Sequence, residues 1–395
     1  MLNESEQTRA FGAHDRQGNG NPTNFESPCD AAAAGTLARV ADAPLDILIV
    51  SQMYPGPDNP DLGVFVRGQE EALRARGHRV RVVAVTRRRG GIRKHLGFAL
   101  RAFFAVLWRR PDVVYAHFLA PAGVIAASAC RLLPRTGLVV VAHGRDVRNI
   151  GERRGVARGM RLLARRADHV VAVSRFLGDD LERRVPELAG RVEVVDSGVD
   201  VEARFTPGLH ADARRRLGDR WPWSVGDDDP AFLFVGTFDE RKNVVPLADA
   251  FARLGRGTLT FVGDGPLRSQ LEGRERVHVV GRVAHDEVVT WMRACDVLCL
   301  PSLVEPFGQV LVEAMGCERS VVATSVGGPP EFVPPGAGVL VDPADIDDIE
   351  RGLRAAMQLP RPNLAARTAA LSHDVRRQAA RMEDLLRDSV VVRRR

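Results

Sequence analysis

Lysine is almost missing from this chain: Lys94 and Lys242 are the only two among 56 basic residues, so arginine fills nearly every other cationic position. Cysteine is sparse as well. Cys29, Cys130, Cys295, Cys299 and Cys317 make an odd count with no C-x-x-C pair and no zinc spacing, which argues against a disulfide framework and against a metal site. No zinc-finger spacing, ribonucleoprotein aromatic motif or strong helix-turn-helix cue accompanies the formal charge of +6, so a nucleic-acid module is not expected. The first 44 residues lack both a basic leader and an apolar stretch of signal-peptide type. Rich in Asn, Gly, Ser and Ala, they read as a disordered tail on a cytoplasmic protein. A basic balance without these modules suits phosphate-bearing ligands or an anionic membrane surface.

With 395 residues, 45% of them hydrophobic, the chain can build two or three sizeable cores. Apolar β-rich runs at 45–51, 78–85, 112–116, 138–142, 169–173 and 192–195 alternate with helical patterns. A second series follows at 231–235, 258–262, 278–280, 297–300 and 321–323. Alternation of this kind predicts α/β architecture with parallel sheets covered on both faces. The expected organisation is a tail (1–44), a first Rossmann-like domain (45–207), a linker (208–230), a second Rossmann-like domain (231–372) and a final helix (373–395). The Asp227-Asp228-Asp229 run reads as a solvated turn of that linker.

The most telling segment is E-P-F-G-Q-V-L-V-E, Glu305 to Glu313, where an apolar strand hands over to a helix. Pro306 biases Glu305 toward extended backbone, and Gly308 permits close approach to a ligand, so the helix is expected to start between Phe307 and Gln309. Its first amides lack internal partners and, with the helix dipole, suit a diphosphate. Glu313 lies roughly 7–8 Å along the axis from Gly308, at ~1.5 Å rise per residue. Two ionised carboxylates at that span suit the hydroxyls of a sugar and of a ribose. Lys242 opens a predicted helix over 243–252, and a lysine retained in so arginine-rich a chain suggests that a compact ammonium is wanted there. His143, in A-H-G-R-D, ends an apolar strand where doubly wound folds place ligands.

Taken together and in order, these motifs resemble glycosyltransferase family 4. The segments that carry the resemblance are Y-P-G-P-D-N-P-D-L-G-V-F-V from Tyr54, A-H-G-R-D from Ala142, F-V-G-T-F-D-E-R-K-N from Phe234, F-V-G-D-G-P-L from Phe261, G-R-V-A-H from Gly281, the glutamate motif, and V-V-A-T-S-V-G-G-P-P-E from Val321. The opening loop also resembles enzymes of teichuronic-acid type. The resemblance implies a GT-B fold and retaining, metal-independent transfer of a hexose-type sugar from a nucleoside-diphosphate sugar, UDP or GDP first, to an acceptor hydroxyl. It implies no cofactor. It makes His143, Lys242 and Glu305 the catalytic group, with Glu313 on the ribose and Gly281 and Arg282 at the base. Gly63, Gly236, Arg241, Pro306, Phe307, Gly308 and Gln309 complete the implied donor site.

Two departures stand out. Thr237 occupies a position where the family often has an arginine, leaving Arg241 or Arg282 as the expected substitute. Glu318 follows Cys317 where the family usually has a glycine, which predicts a local stability cost. The expected acceptor is a lipid-linked glycan in cell-surface synthesis or, alternatively, a natural-product aglycone such as an aminocyclitol. A sugar-nucleotide epimerase and a catalytically silent binding protein are the rival readings. The basic residues Arg87–Arg89, Arg93 and Lys94, followed by the aromatic run 96–108, fit a peripheral membrane helix too short to span a bilayer.

Overall fold

A computed structural model describes residues 43–87, 91–150, 154–221 and 229–394; the tail, Cys29, Arg88, Arg89, Asp227 and Asp228 lie outside them, as does the Arg93 side chain. Residues 44–395 form one compact unit, whose described part holds two six-stranded parallel sheets.

The first sheet runs β2-β1-β3-β4-β5-β6, from β1 (Asp46–Ser51), β2 (Arg79–Ala84), β3 (Val113–His117), β4 (Gly137–Ala142), β5 (His169–Ala172) and β6 (Val192–Val194). The central strands β3 and β4 are buried along their whole length, the pattern of a sheet covered on both faces. Pairing of Ser51 with His117, and of His117 with Val141, places His117 at the carboxyl end of the sheet, one step from the loop that carries His143.

The second sheet runs β12-β11-β10-β7-β8-β9, from β7 (Ala231–Thr237), β8 (Thr258–Asp264), β9 (Val277–Gly281), β10 (Val297–Leu300), β11 (Ser320–Thr324) and β12 (Gly338–Val341). The strand β12 was not expected from the sequence: its short apolar run, Val339-Leu340-Val341, closely follows Pro334, Pro335 and Gly336, and it forms a half-exposed edge strand of four residues. Phe232, Phe234, Phe251, Phe261 and Trp291 are fully buried in this domain.

The segment 208–230 contains a helix, His210–Leu217. The last helix, Val375–Arg394, returns to the first sheet. Arg393 reaches Asp168 at 2.6 Å, Glu383 pairs with Arg76 and His78, and a Cβ on Gly137 would meet Ser389 Oγ at 2.5 Å. Strand β1 and the last helix thus both belong to the first domain, and the second domain lies between them in sequence.

Candidate active site

The glutamate motif is built as its residue types demand. Leu300 ends β10, Gly308 is the N-cap with φ of 95°, and the helix runs Gln309–Gly316. The backbone of Glu305 is pinned by the glycine pair of the G-G-P-P-E loop: its N–H donates to Val326 O at 3.2 Å, and its carbonyl accepts from Gly328 N at 2.8 Å. Gly327, at φ of 116°, runs so close that a Cβ there would lie 2.0 Å from Glu305 O. No other residue type fits that approach.

Glu305 is buried and turned onto protein groups. Lys242 Nζ donates to its Oε2 at 2.5 Å, and Ser302 Oγ donates to the same oxygen at 3.1 Å. Asp239 holds Lys242 in place by capping its short 3-10 turn, accepting from Lys242 N at 3.2 Å. The two residues expected to grip sugar and diphosphate separately therefore form one ion pair at the cleft wall.

Facing them, the first domain presents His143. Asp146, buried, accepts backbone N–H bonds from Leu119 (2.9 Å), His143 (3.1 Å), Gly144 (2.9 Å) and Val147 (3.1 Å), which fixes the turn carrying the histidine. The His143 ring lies 4.7 Å, centroid to centroid, from both Phe65 and Phe118, and its Nε2 is 3.1 Å from Nδ1 of buried His117. Loss of water around the ring lowers its pKa to about 3, so the imidazole is neutral near pH 7. Burial, then the neighbouring His143, holds His117 neutral as well. Phe118 has φ of 78°, a conformation costly for a phenylalanine; hydrogen bonds from Phe118 N to Val141 O (2.8 Å) and from Gly123 N to Phe118 O (2.9 Å) hold it.

Between these walls is a cavity of about 640 Å³. Of the expected residues, His143, Gly236, Arg241, Lys242, Glu305, Pro306, Phe307, Gly308 and Gln309 line it. Thr237 does too, and Arg241 lies beside it, paired with Asp239 at 2.5 Å. Of the two candidates to stand in for an arginine at Thr237, only Arg241 is in the cavity lining; Arg282 sits 3.7 Å from Asp264, just past the end of β9, and Gly281, the last residue of β9, is not in the lining either. Gly63 is not in the lining either: it is the N-cap of the Val64–Ala75 helix, which delivers Phe65.

Glu313 is a further difference. Expected beside Glu305 on one ligand, it opens onto an adjoining hollow of about 310 Å³ with Arg67, Arg204 and His285, and only Phe65 and Gln309 line both spaces. Burial pushes its carboxyl up to about 7, against a smaller opposing effect of Arg204. Sequence reasoning also missed Phe65, Phe118, Phe176, Arg145 and Arg148, all in the cavity lining. Phe65 and Arg145 lie inside quoted motifs, but nothing in their spacing says which way a side chain faces.

Two Rossmann-like domains facing across this cleft define the GT-B architecture. Comparison with known proteins agrees. The family model "Glycosyltransferase Family 4" matches residues 62–203, and "Glycosyl transferases group 1" matches residues 229–358. The chain belongs to the group 1, family 4 glycosyltransferases. It is 34% identical over 263 residues to a D-inositol 3-phosphate glycosyltransferase of Geodermatophilus obscurus, covering 59% of this chain and 51% of that protein. It is 30% identical over 226 residues to the putative teichuronic acid biosynthesis glycosyltransferase TuaC of Bacillus subtilis, covering 55% and 54%. Each match thus spans about half the length of the relative. Among solved structures, Anabaena Alr3699/HepE in complex with UDP-glucose superposes with a TM-score of 0.67 at 20% identity, covering 86% of this chain and 99% of that one, a likeness of fold.

Proposed function

We propose that this protein is a retaining glycosyltransferase that moves a hexose-type sugar from a nucleoside diphosphate, UDP or GDP, to an acceptor hydroxyl in cell-surface glycan or glycolipid synthesis. The observation that carries the reading is the meeting of His143 with the Glu305–Lys242 pair and the start of the Gln309–Gly316 helix across one cavity. The structural relative bound to UDP-glucose and the teichuronic-acid relative support the donor and the pathway type respectively.

In this reading the diphosphate lies at the helix start, where free amides, Lys242 and Arg241 take up the charge that a metal carries in other enzymes. Glu305 keeps the ammonium at the wall until the leaving group develops charge. The bond from the anomeric carbon to the diphosphate breaks while the acceptor oxygen bonds on the same face, and the departing phosphate takes the acceptor's proton. Neutral His143 contacts the sugar and orients it.

The test is a thermal-shift and turnover screen with UDP-, GDP-, ADP- and dTDP-sugars in EDTA. One nucleotide class is expected to raise the melting temperature, and Lys242→Ala to lower turnover by about 10²–10³-fold. Absence of any nucleotide-dependent shift would sink the reading. Product analysis without acceptor separates transfer from epimerisation.

We further propose that the first domain docks on an anionic membrane. Leu96, Leu100, Phe104 and Trp108 are exposed on the Gly91–Arg109 helix, Trp108 by 84%. Arg131, Arg158, Arg161 and Arg165 line a hollow on the helices that follow it on the same sheet. No helix among the described residues is long and apolar enough to cross a membrane. Flotation with vesicles containing anionic lipid should be lost in Trp108→Ser/Phe104→Ser; equal flotation with neutral vesicles would count against the charge argument.

A further inference from the structure

We propose that the acceptor carries a phosphate and that Arg145 and Arg148 bind it, an inference that rests on the donor reading above for the place of the other substrate. Five basic side chains line the cavity: Arg145, Arg148, Arg184, Arg241 and Lys242. Three are matched by carboxylates, Lys242 by Glu305 at 2.5 Å, Arg241 by Asp239 at 2.5 Å and Arg184 by Asp180 at 2.9 Å. Arg145 and Arg148 are exposed, and their guanidinium groups have no hydrogen-bond or ion-pair partner among the described residues.

Three residues apart on one helical turn, Arg145–Arg148, the two guanidinium groups are neighbours and repel. An anion between them removes that repulsion, and planar guanidinium forks match phosphate oxygens in pairs. The platform beneath them is rigid. Asp146, between the two arginines in sequence, holds four backbone N–H groups of the same turn and of the Phe118–Leu119 corner, so an anion bound there has a fixed position relative to His143. Gly144, at φ of 117°, sets this turn directly against the glutamate motif: a Cβ there would lie 2.4 Å from Pro306 Cγ.

The geometry gives each wall its own anion site. Lys242, Arg241 and the helix start serve the donor diphosphate from the second domain, whereas Arg145 and Arg148 stand on the first. On that same first wall, Phe65, Phe118 and Phe176 offer apolar faces suited to the C–H face of a sugar or cyclitol ring. A phosphate on such an acceptor comes either from a soluble sugar or polyol phosphate or from the diphosphate of a prenyl carrier. Both present the same oxygens to the two arginines.

The experiment is calorimetric titration of the full chain, saturated with UDP, with glucose, glucose 6-phosphate and a short-chain prenyl diphosphate sugar, in wild type and in Arg145→Gln/Arg148→Gln. At least one phosphorylated compound is expected to bind about 10-fold or more tightly than glucose, and the double variant to abolish that preference while keeping its UDP affinity. The tighter of the two phosphorylated compounds identifies the carrier. The proposal is overturned if phosphate confers no preference, if the preference survives in the double variant, or if the variant loses UDP affinity equally, which would assign the arginines to the donor. Because both side chains are exposed, the unliganded melting temperature of the variant should match wild type. If neither UDP nor GDP binds, the donor reading fails; the same titrations on nucleotide-free protein still judge the arginines.

Discussion

Glu313 and His143 are each moved by burial to a pKa that decides their chemistry. The carboxyl of Glu313, raised to about 7, keeps a proton in the folded chain that the unfolded chain has already released. Native protein therefore binds more protons between the ordinary carboxylate range and about pH 7, and stability falls as pH rises through that window. Glu313→Gln should match wild type near pH 4 and exceed it by about 1–3 kcal/mol at pH 8 in denaturant titrations, unless nucleotide is present. A ribose contact would show as weaker nucleotide binding by the same variant. For His143, lowered to about 3, no protonation step within the ordinary working range is expected.

At the scale of elements, the turn after the Gln309–Gly316 helix illustrates how a departure from a family pattern is absorbed. Glu318 adopts φ of 63°, the left-handed conformation that glycine takes without penalty, and its carbonyl accepts from Asn363 N at 3.0 Å. The next residue explains why the turn persists: Arg319 is buried and donates to the carbonyls of Gly208 (2.7 Å) and Arg293 (3.1 Å), tying linker and helix to the turn. Glu318→Gly should then stabilise the protein by about 1 kcal/mol, read as a higher denaturation midpoint with unchanged slope. A loss of stability would mean that the Glu318 side chain makes up for its backbone.

Across the whole molecule, the two domains meet through the far end of the G-G-P-P-E loop. The Glu331 carboxylate accepts from Arg175 N and Phe176 N, both at 2.8 Å, at the start of the Arg175–Arg184 helix, while Ser174 Oγ caps that helix through Leu177 N at 3.2 Å. The same loop pins the backbone of Glu305, so the contact between domains and the position of Glu305 share one short segment. Charge-assisted bonds of this kind contribute about 1.5–3 kcal/mol each at most, and these are exposed and worth less. Glu331→Ala is expected to enlarge the radius of gyration in solution scattering and to raise the donor KM, with little change in melting temperature. An unchanged radius would show that the final helix and the contact of Gly144 with Pro306 suffice to keep the domains together.

Much of this was fixed by sequence alone, because it depends on local pattern. Period and apolar runs determine eleven of the twelve strands to within two residues, and Pro306 and Gly308 determine where the glutamate helix starts. Quoted motifs also contain His143, Lys242 and Glu305, since the family resemblance is a matter of residue order. Only tertiary structure decided what those residues touch. It paired Lys242 with Glu305, 63 positions away, moved Glu313 to a neighbouring hollow, put Arg241 but not Arg282 in the cavity lining, and returned the last helix to the first sheet. The reason is physical: strand and helix propensities act over a few residues, whereas the direction of a side chain at a domain cleft depends on how two separately folded sheets approach each other.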